Sequence, residues 1–157
     1  MEIKFIDGDL MTSCDNVIAH QTNCHGIMGS GVAKQIKETF PAVFDEYRIR
    51  CYSQRTIGNA LGECQLVETA NGMYVANIFG QCDYGNDGKR YTDYAALKSA
   101  FISLRKQMRE LNLHTLSLPY LMGCGLGGGN WDSVLHIIND VFKDTDVVIT
   151  IYKFKKP

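Results

Sequence analysis

The sequence predicts an α/β fold in which a mixed central sheet is covered by helices on both faces. Three observations point there. Short apolar runs of strand length alternate with longer stretches whose apolar residues recur at helical spacing. Two strand-to-helix transitions, over 22–31 and 119–131, are rich in glycine. A single Asn71-Gly72 pair lies between two strand-like runs, which makes a hairpin and puts an antiparallel strand into the sheet.

In chain order, Ile3-Lys4-Phe5-Ile6 is the first strand, closed by Asp7-Gly8-Asp9. Residues 16–20, built on Val17-Ile18-Ala19, are the second. A polar patch ending in Asn23 leads through Gly26, Gly29 and Gly31 into a helix from about Ser30 to Phe40, with Val32, Ala33, Ile36 and Phe40 on one side. Pro41 stops that pattern and opens the next helix, which gathers Val43, Phe44, Tyr47 and Cys51. Residues 53–62 carry two glycines and no periodicity, so they read as a loop. Glu63–Thr69 and Met73–Phe79 are the hairpin arms. Gly80–Arg90, with three glycines, two aspartates and an asparagine, reads as a mobile surface loop.

Thr92 is placed to cap a long helix whose stripe is Tyr94, Leu97, Phe101, Leu104, Met108 and Leu111. That stripe reads as core. Thr115–Leu118 is a short strand ended by Pro119. After the run Met122–Gly129 comes a helix with Trp131, Val134, Leu135, Ile138, Val141 and Phe142 inward, and residues 147–152 form the last strand.

At 157 residues and 45% hydrophobic content, residues 1–157 make one domain with a substantial core. A net charge of −1 argues against a general nucleic-acid or anionic-membrane surface. No apolar run reaches the ~18 residues of a membrane span, and the N-terminus lacks the apolar run of a signal peptide. The six cysteines (14, 24, 51, 64, 82, 124) form no CxxC pair, so they read as reduced thiols of a cytoplasmic protein.

Both glycine-rich transitions put helix N-terminal amides beyond a strand end, which is an anion site whose usual occupant is phosphate. Five glycines between 123 and 129 carry a large ordering entropy that a plain connector does not require. Two such loops in one small domain make a cleft that grips a diphosphate, or two phosphates, from both sides. Other nucleotide signatures do not fit. There is no GxxxxGK[ST], and Gly26-x-x-Gly29-x-Gly31 is not GxGxxG.

The chain resembles a macro domain over nearly its whole length. The resemblance rests on Gly8-Asp9-Leu10, on Asn23-x-x-Gly26-x-Met28-Gly29-x-Gly31-Val32-Ala33, and on Gly123-Cys124-Gly125-Leu126-Gly127-Gly128-Gly129-x-Trp131. It implies a three-layer α/β/α fold that binds ADP-ribose. It also implies that Asp9 holds the adenine amino group and Asn23 the distal ribose. Gly29, Ser30, Gly31 and Val32 would cradle the diphosphate from one side, Gly125, Leu126 and Gly127 from the other. Gly8, Leu10, Gly123 and Cys124 complete the binding motifs, and Tyr152 stands where relatives stack an aromatic on adenine.

The first loop, His20-Gln21-Thr22-Asn23-Cys24-His25-Gly26, is similar to that of the branch that removes the 1''-phosphate from ADP-ribose 1''-phosphate. That branch has a histidine three residues before the asparagine. The resemblance makes His20 the leading proton-transfer residue, able to protonate the leaving oxygen or activate a water. His25 competes because it lies in the loop itself and ranks second, and Asn23 positions the ribose or a water. A related hydrolase branch uses a lysine near the end of the strand after the hairpin and an aspartate after Gly-Cys-Gly-Leu. Here those regions read Asn77-Ile78-Phe79-Gly80-Gln81 and Gly127. Removal of ADP-ribose from modified targets, and plain reading of ADP-ribose, stay open as alternatives. No metal or cofactor is expected. The expected partners are ADP-ribose or its 1''-phosphate and ADP-ribosylated protein, without membrane or nucleic acid.

Overall fold

The computed structural model describes residues 1–53 and 57–154. Among them are six strands, β1 (Glu2–Asp7), β2 (Val17–Gln21), β3 (Cys64–Glu68), β4 (Tyr74–Ile78), β5 (Thr115–Pro119) and β6 (Val148–Lys153). Four helices accompany them: α1 (Gly31–Thr39), α2 (Pro41–Tyr52), α3 (Tyr94–Glu110) and α4 (Trp131–Phe142). Of the expected loop over 53–62, residues 54–56 lie outside the described residues. The strands form one sheet in the order β1-β6-β5-β2-β4-β3. All neighbours are parallel except β3 and β4, the hairpin pair, in which the Thr69 amide donates to the Met73 carbonyl at the turn. The sheet is therefore mixed, as the Asn-Gly pair required.

Period-two alternation sends successive residues of β2 to opposite faces. Val17 and Ala19 pack with Leu97, Phe101, Leu104, Val134, Ile138 and Phe142 of α3 and α4. Ile18 packs on the other face with Ile36, Val43 and Tyr47 of α1 and α2, together with Val75 and Phe79. Two separate apolar cores, one per face, make the three-layer α/β/α sandwich. Because β2 is followed by α1 while its neighbour β5 is followed by α4, the chain leaves these adjacent strands toward opposite faces. That divergence opens a crevice at their carboxyl ends, the place where open α/β sheets bind ligands.

Two local expectations are corrected. The cap of α3 is Asp93, whose carboxylate accepts from the Ala96 amide. Thr92 is 2% exposed, and its hydroxyl is taken by a network beneath the cleft instead. Leu111 lies just past the end of α3 and is 47% exposed, while Ala96 and Ala100 complete the buried stripe. The 80–90 loop is closed at its base by a bridge between Gln81 and Thr92.

Candidate functional site

The two glycine loops face each other across a cleft of about 800 Å³ above β2 and β5. Gly29 to Ala33 form one wall and Pro119 to Gly127 most of the other, with Tyr84, Gly85 and Asn86 of the 80–90 loop closing a third side. A smaller cavity of about 370 Å³ shares Gly31, Val32, Pro119, Tyr120 and Leu121 with it. That cavity is lined further by Gly8, Asp9, Leu10, Tyr152 and Phe154. The two cavities adjoin where these shared residues of both loops border each of them.

Its walls supply hydrogen-bond donors without charge. Ser30 precedes α1 but makes no side-chain cap bond, so the first amides of that helix keep no partner within the turn. Across the cleft, the amides of Gly125, Leu126 and Gly127 donate to no acceptor among the described residues. No Asp, Glu, Lys or Arg lines the larger cleft. An anion seated there is met by backbone N–H groups and a helix dipole rather than by ion pairs.

The second loop's glycines divide by function. Gly128 has φ +69°, and a Cβ there would stand 2.6 Å from the Lys89 carbonyl oxygen. Cβ atoms at Gly127 and Gly129 would meet the Gly123 carbonyl oxygen at 2.8 and 2.7 Å. These three let the loop fold onto itself and onto 89–92, where the Gly127 carbonyl accepts from the Tyr91 and Thr92 amides. At Gly125 a Cβ would meet nothing within 4 Å. That position borders the open cleft.

A scan against family models matches residues 19–138 to the Macro domain. The chain belongs to the macro domain family. It is 28% identical over 153 residues to a DNA ADP-ribosyl glycohydrolase of Mycobacterium tuberculosis, covering 94% of this chain and 41% of that protein. The chain thus spans about two fifths of the length of that relative. It is 28% identical over 176 residues to an ADP-ribose 1''-phosphate phosphatase of Meyerozyma guilliermondii, covering 96% and 98% of the two chains. To an ADP-ribose glycohydrolase of Bos taurus it is 37% identical over 159 residues, covering 96% and 90%. Among solved structures, the macrodomain of Mycobacterium tuberculosis DarG superposes with a TM-score of 0.83 at 26% identity, covering 96% of each chain.

In this macro domain His20 is the penultimate residue of β2, on the face of α1 and α2, and lines the floor of the larger cleft. It is 1% exposed, its Nε2 lies 2.7 Å from Asn77 Oδ1, and its Nδ1 has no partner. Burial outweighs the Asn77 bond and lowers its pKa to about 4. In the unliganded protein the ring is therefore neutral near pH 7. A neutral imidazole offers one N–H and one lone pair.

Asn23 is 9% exposed and mostly committed to its own loop. Its Oδ1 accepts from the His25 amide at 2.9 Å and from the buried Tyr47 hydroxyl at 2.7 Å, and its Nδ2 donates to the Ile27 carbonyl at 2.9 Å. One Nδ2 hydrogen is left for a ligand. His25 does not line the cleft. Its ring pairs with Asp83 at 2.7 Å and meets the Tyr84 ring edge-on. His25, Cys82 and Asp83 bring three possible metal-ligand atoms within 4.8 Å of one another. Cys124 also lies off the cleft wall and packs on the core beneath α3 and α4.

Asp9 lines the smaller cavity, and its Oδ1 accepts from the Met11 amide at 2.9 Å, capping a short 3₁₀ turn over Leu10–Thr12. Tyr152 lies against Gly8, 3.6 Å from where a Cβ would be. Several lining residues escaped the sequence reading. Phe154 shares the face of Tyr152 two positions on, and period two gave that signal. Gln21 Nε2 donates to Gln81 Oε1 at 2.7 Å and Thr92 Oγ1 at 2.9 Å, and Thr92 donates to the Gly123 carbonyl at 2.7 Å. This network ties the second loop to the end of β2 and joins residues far apart in sequence, so no local pattern announces it. Leu121 adopts φ +61°, a costly conformation for a γ-branched residue, at the junction of the two cavities.

Proposed function

We propose that this macro domain binds ADP-ribose across the two cavities and removes the 1''-phosphate from ADP-ribose 1''-phosphate. In this reading the smaller cavity takes adenine, with Asp9 accepting from its amino group and Tyr152 and Phe154 beside its ring. The two loops hold the diphosphate. The distal ribose reaches Asn23 and brings its 1''-phosphate over His20. The observation that carries the reading is the pairing of unpartnered loop amides with a buried, neutral imidazole on the floor of an otherwise uncharged cleft.

The chemistry follows from the ring's state. A water that donates to Nδ1 becomes a better nucleophile for the phosphorus, and its proton passes to the ring as the P–O bond to water forms. The ribose oxygen departs as the old P–O bond breaks and takes that proton back from the imidazolium. Nearby phosphate charge favours the transient imidazolium, and loop amides hold the phosphoryl oxygens. ADP-ribose and inorganic phosphate leave, and His20 is neutral again. Proton transfer of this kind contributes ~10²–10⁴-fold.

The similarity to the Meyerozyma guilliermondii phosphatase over nearly the full length of both chains supports this assignment. Removal of ADP-ribose from a modified macromolecule is the second reading, favoured by the names of the Bos taurus and mycobacterial relatives. Against a lysine-dependent version of it, Gln81 and Gly127 line the cleft in the regions where that chemistry needs Lys and Asp. Residues 1–157 act as one macro-domain unit, and the six free cysteines suit a reducing cytoplasm. The deciding experiment incubates the protein with ADP-ribose 1''-phosphate, ADP-ribosylated protein and ADP-ribosylated DNA. Phosphate release and label loss are followed in parallel. Phosphate release alone is expected. Label loss without phosphate release establishes the second reading, and binding without turnover leaves an ADP-ribose reader.

A further inference from the structure

The hydrogen bond beneath His20 is the first of three. His20 on β2, Asn77 on β4 and Gln65 on β3 are register neighbours across adjacent strands. Gln65 reaches on to the backbone of Glu46 in α2, donating from Nε2 to its carbonyl at 2.9 Å. The direction of every link is set from that far end. A carbonyl can only accept, so Gln65 must turn its NH₂ toward Glu46 and its Oε1 toward Asn77. Asn77 Nδ2 donates to that Oε1 at 3.0 Å, which leaves Asn77 Oδ1 facing His20 Nε2 at 2.7 Å. An acceptor there demands a hydrogen on Nε2. The remaining ring nitrogen, Nδ1, then carries a lone pair, and it is one of two buried side-chain atoms without a partner among the described residues.

We infer that Asn77 and Gln65 are positioning residues that lock His20 in the Nε2–H tautomer, keeping Nδ1 as an acceptor for a proton-donating group in the cleft. Neither lines the larger cleft itself. Both act through His20, and Gln65 does so through Asn77. The opposite tautomer would present N–H at Nδ1 and could not take a proton from water. The catalytic consequence rests on the proposed role of His20, whereas the tautomer lock stands on the hydrogen-bond chain alone.

Replacing the anchor can reverse the chain. Lysine at 65 only donates, so in Gln65→Lys the Asn77 amide turns over to accept from the ammonium and shows its NH₂ to His20. His20 Nε2 must then accept, and the hydrogen moves to Nδ1. Glutamate at 65 still accepts from Asn77 Nδ2 and preserves the original direction, so Gln65→Glu is the conservative rescue. Gln65→Leu removes the anchor without reversing it and releases both orientations.

With ¹⁵N-histidine-labelled protein, long-range ¹H–¹⁵N spectra read the tautomer directly. The chain has four histidines, and the His20 signal is the one lost in His20→Ala. Wild type and Gln65→Glu are expected to show Nε2–H, and Gln65→Lys to show Nδ1–H. Turnover of ADP-ribose 1''-phosphate by Gln65→Lys should fall in kcat by roughly 10²–10⁴-fold, with ADP-ribose affinity kept. If Gln65→Lys does not fold, Gln65→Leu takes its place and should give mixed tautomers. An Nδ1–H signal in wild type, or a pure Nε2–H signal in Gln65→Lys or its substitute, overturns the lock. A shifted tautomer with unchanged turnover upholds the lock and refutes the proton-transfer role of His20.

Discussion

Gly125→Val tests whether the second loop grips a ligand. The position is unusual among the glycines of its loop. Its φ lies outside the left-handed region, and a Cβ there meets no atom within 4 Å. Valine is therefore accepted without backbone strain, and its methyl groups enter the cleft where the Gly125, Leu126 and Gly127 amides stand free. Hydrogen bonds to a charged group contribute ~1.5–3 kcal/mol each, so displacing an anion from two of these amides costs roughly 3–6 kcal/mol. That corresponds to a loss of more than about 100-fold in ADP-ribose affinity.

Stability should scarcely change, since surface substitutions away from special features stay within about 0.5 kcal/mol. Gly128→Ala is the contrast. Its Cβ would collide with the Lys89 carbonyl at 2.6 Å from a backbone at φ +69°, so it should lower the melting temperature while the walls of the cleft keep their chemistry. Titration calorimetry and thermal unfolding of both variants separate the two effects. ADP-ribose bound by Gly125→Val as tightly as by wild type would refute the assignment of this loop to the diphosphate.

Three further outcomes are expected. His20→Ala should lose phosphate release by roughly 10²–10⁴-fold while still binding ADP-ribose, whereas His25→Ala should be mild because its amide bond to Asn23 survives and only the ring contacts with Asp83 and Tyr84 are lost; stopped phosphate assays decide, and full activity in His20→Ala moves the chemistry elsewhere. Asp9→Ala should weaken ADP-ribose binding by removing the carboxylate from the smaller cavity, checked by calorimetry, with equal affinity counting against the adenine assignment. The depressed His20 pKa sets a sign for stability. The unfolded chain binds a proton at this ring below about 6.5 and the folded chain only below about 4, so stability falls as pH drops through that window and the loss saturates beneath it. On the order of 3 kcal/mol is at stake, and urea unfolding at pH 7 and pH 4 should show a smaller difference in His20→Gln than in wild type.

Much of the fold was legible because its signals are local. The Val17-Ile18-Ala19 run, the helix-stopping Pro41 and the Asn71-Gly72 turn each act within a few residues, and each element they mark is present. The glycine loops were legible as loops. What their glycines do was only partly so, since Gly127, Gly128 and Gly129 serve contacts within the loop and with 89–92, and Gly125 alone of the four borders empty space. Thr92 illustrates the limit. Its position before a helical stripe suits a cap, yet Asp93 next to it caps equally well and leaves the Thr92 hydroxyl to Gln21 and Gly123. Those partners lie 71 and 31 residues away, where no window of sequence connects them. The state of His20 was hidden for the same reason, because a ring's pKa and tautomer belong to its surroundings, and Asn77 is 57 residues distant.

The composition of the cleft leads to one more expectation, about salt. A site that holds a dianion with lysines or arginines is weakened by added salt, because exposed charges are screened within ~10 Å at 0.1 M. Here no charged side chain lines the larger cleft. Amide dipoles pointing into a recess act at hydrogen-bond range, where screening has little room to intervene, and there are no side-chain counterions to release. A chain with net charge −1 also offers no long-range attraction to an anion. ADP-ribose affinity should therefore change little between low and high sodium chloride, while the association rate stays that of an unsteered encounter. Calorimetry across a salt series reads the first, and stopped-flow fluorescence of Trp131, which packs edge-on against Tyr120 in the cleft wall, reads the second. A steep fall in affinity with salt would mean that cations outside the wall, with Lys89 and Arg90 the nearest in sequence to the 84–86 side, swing over the ligand and supply part of its binding.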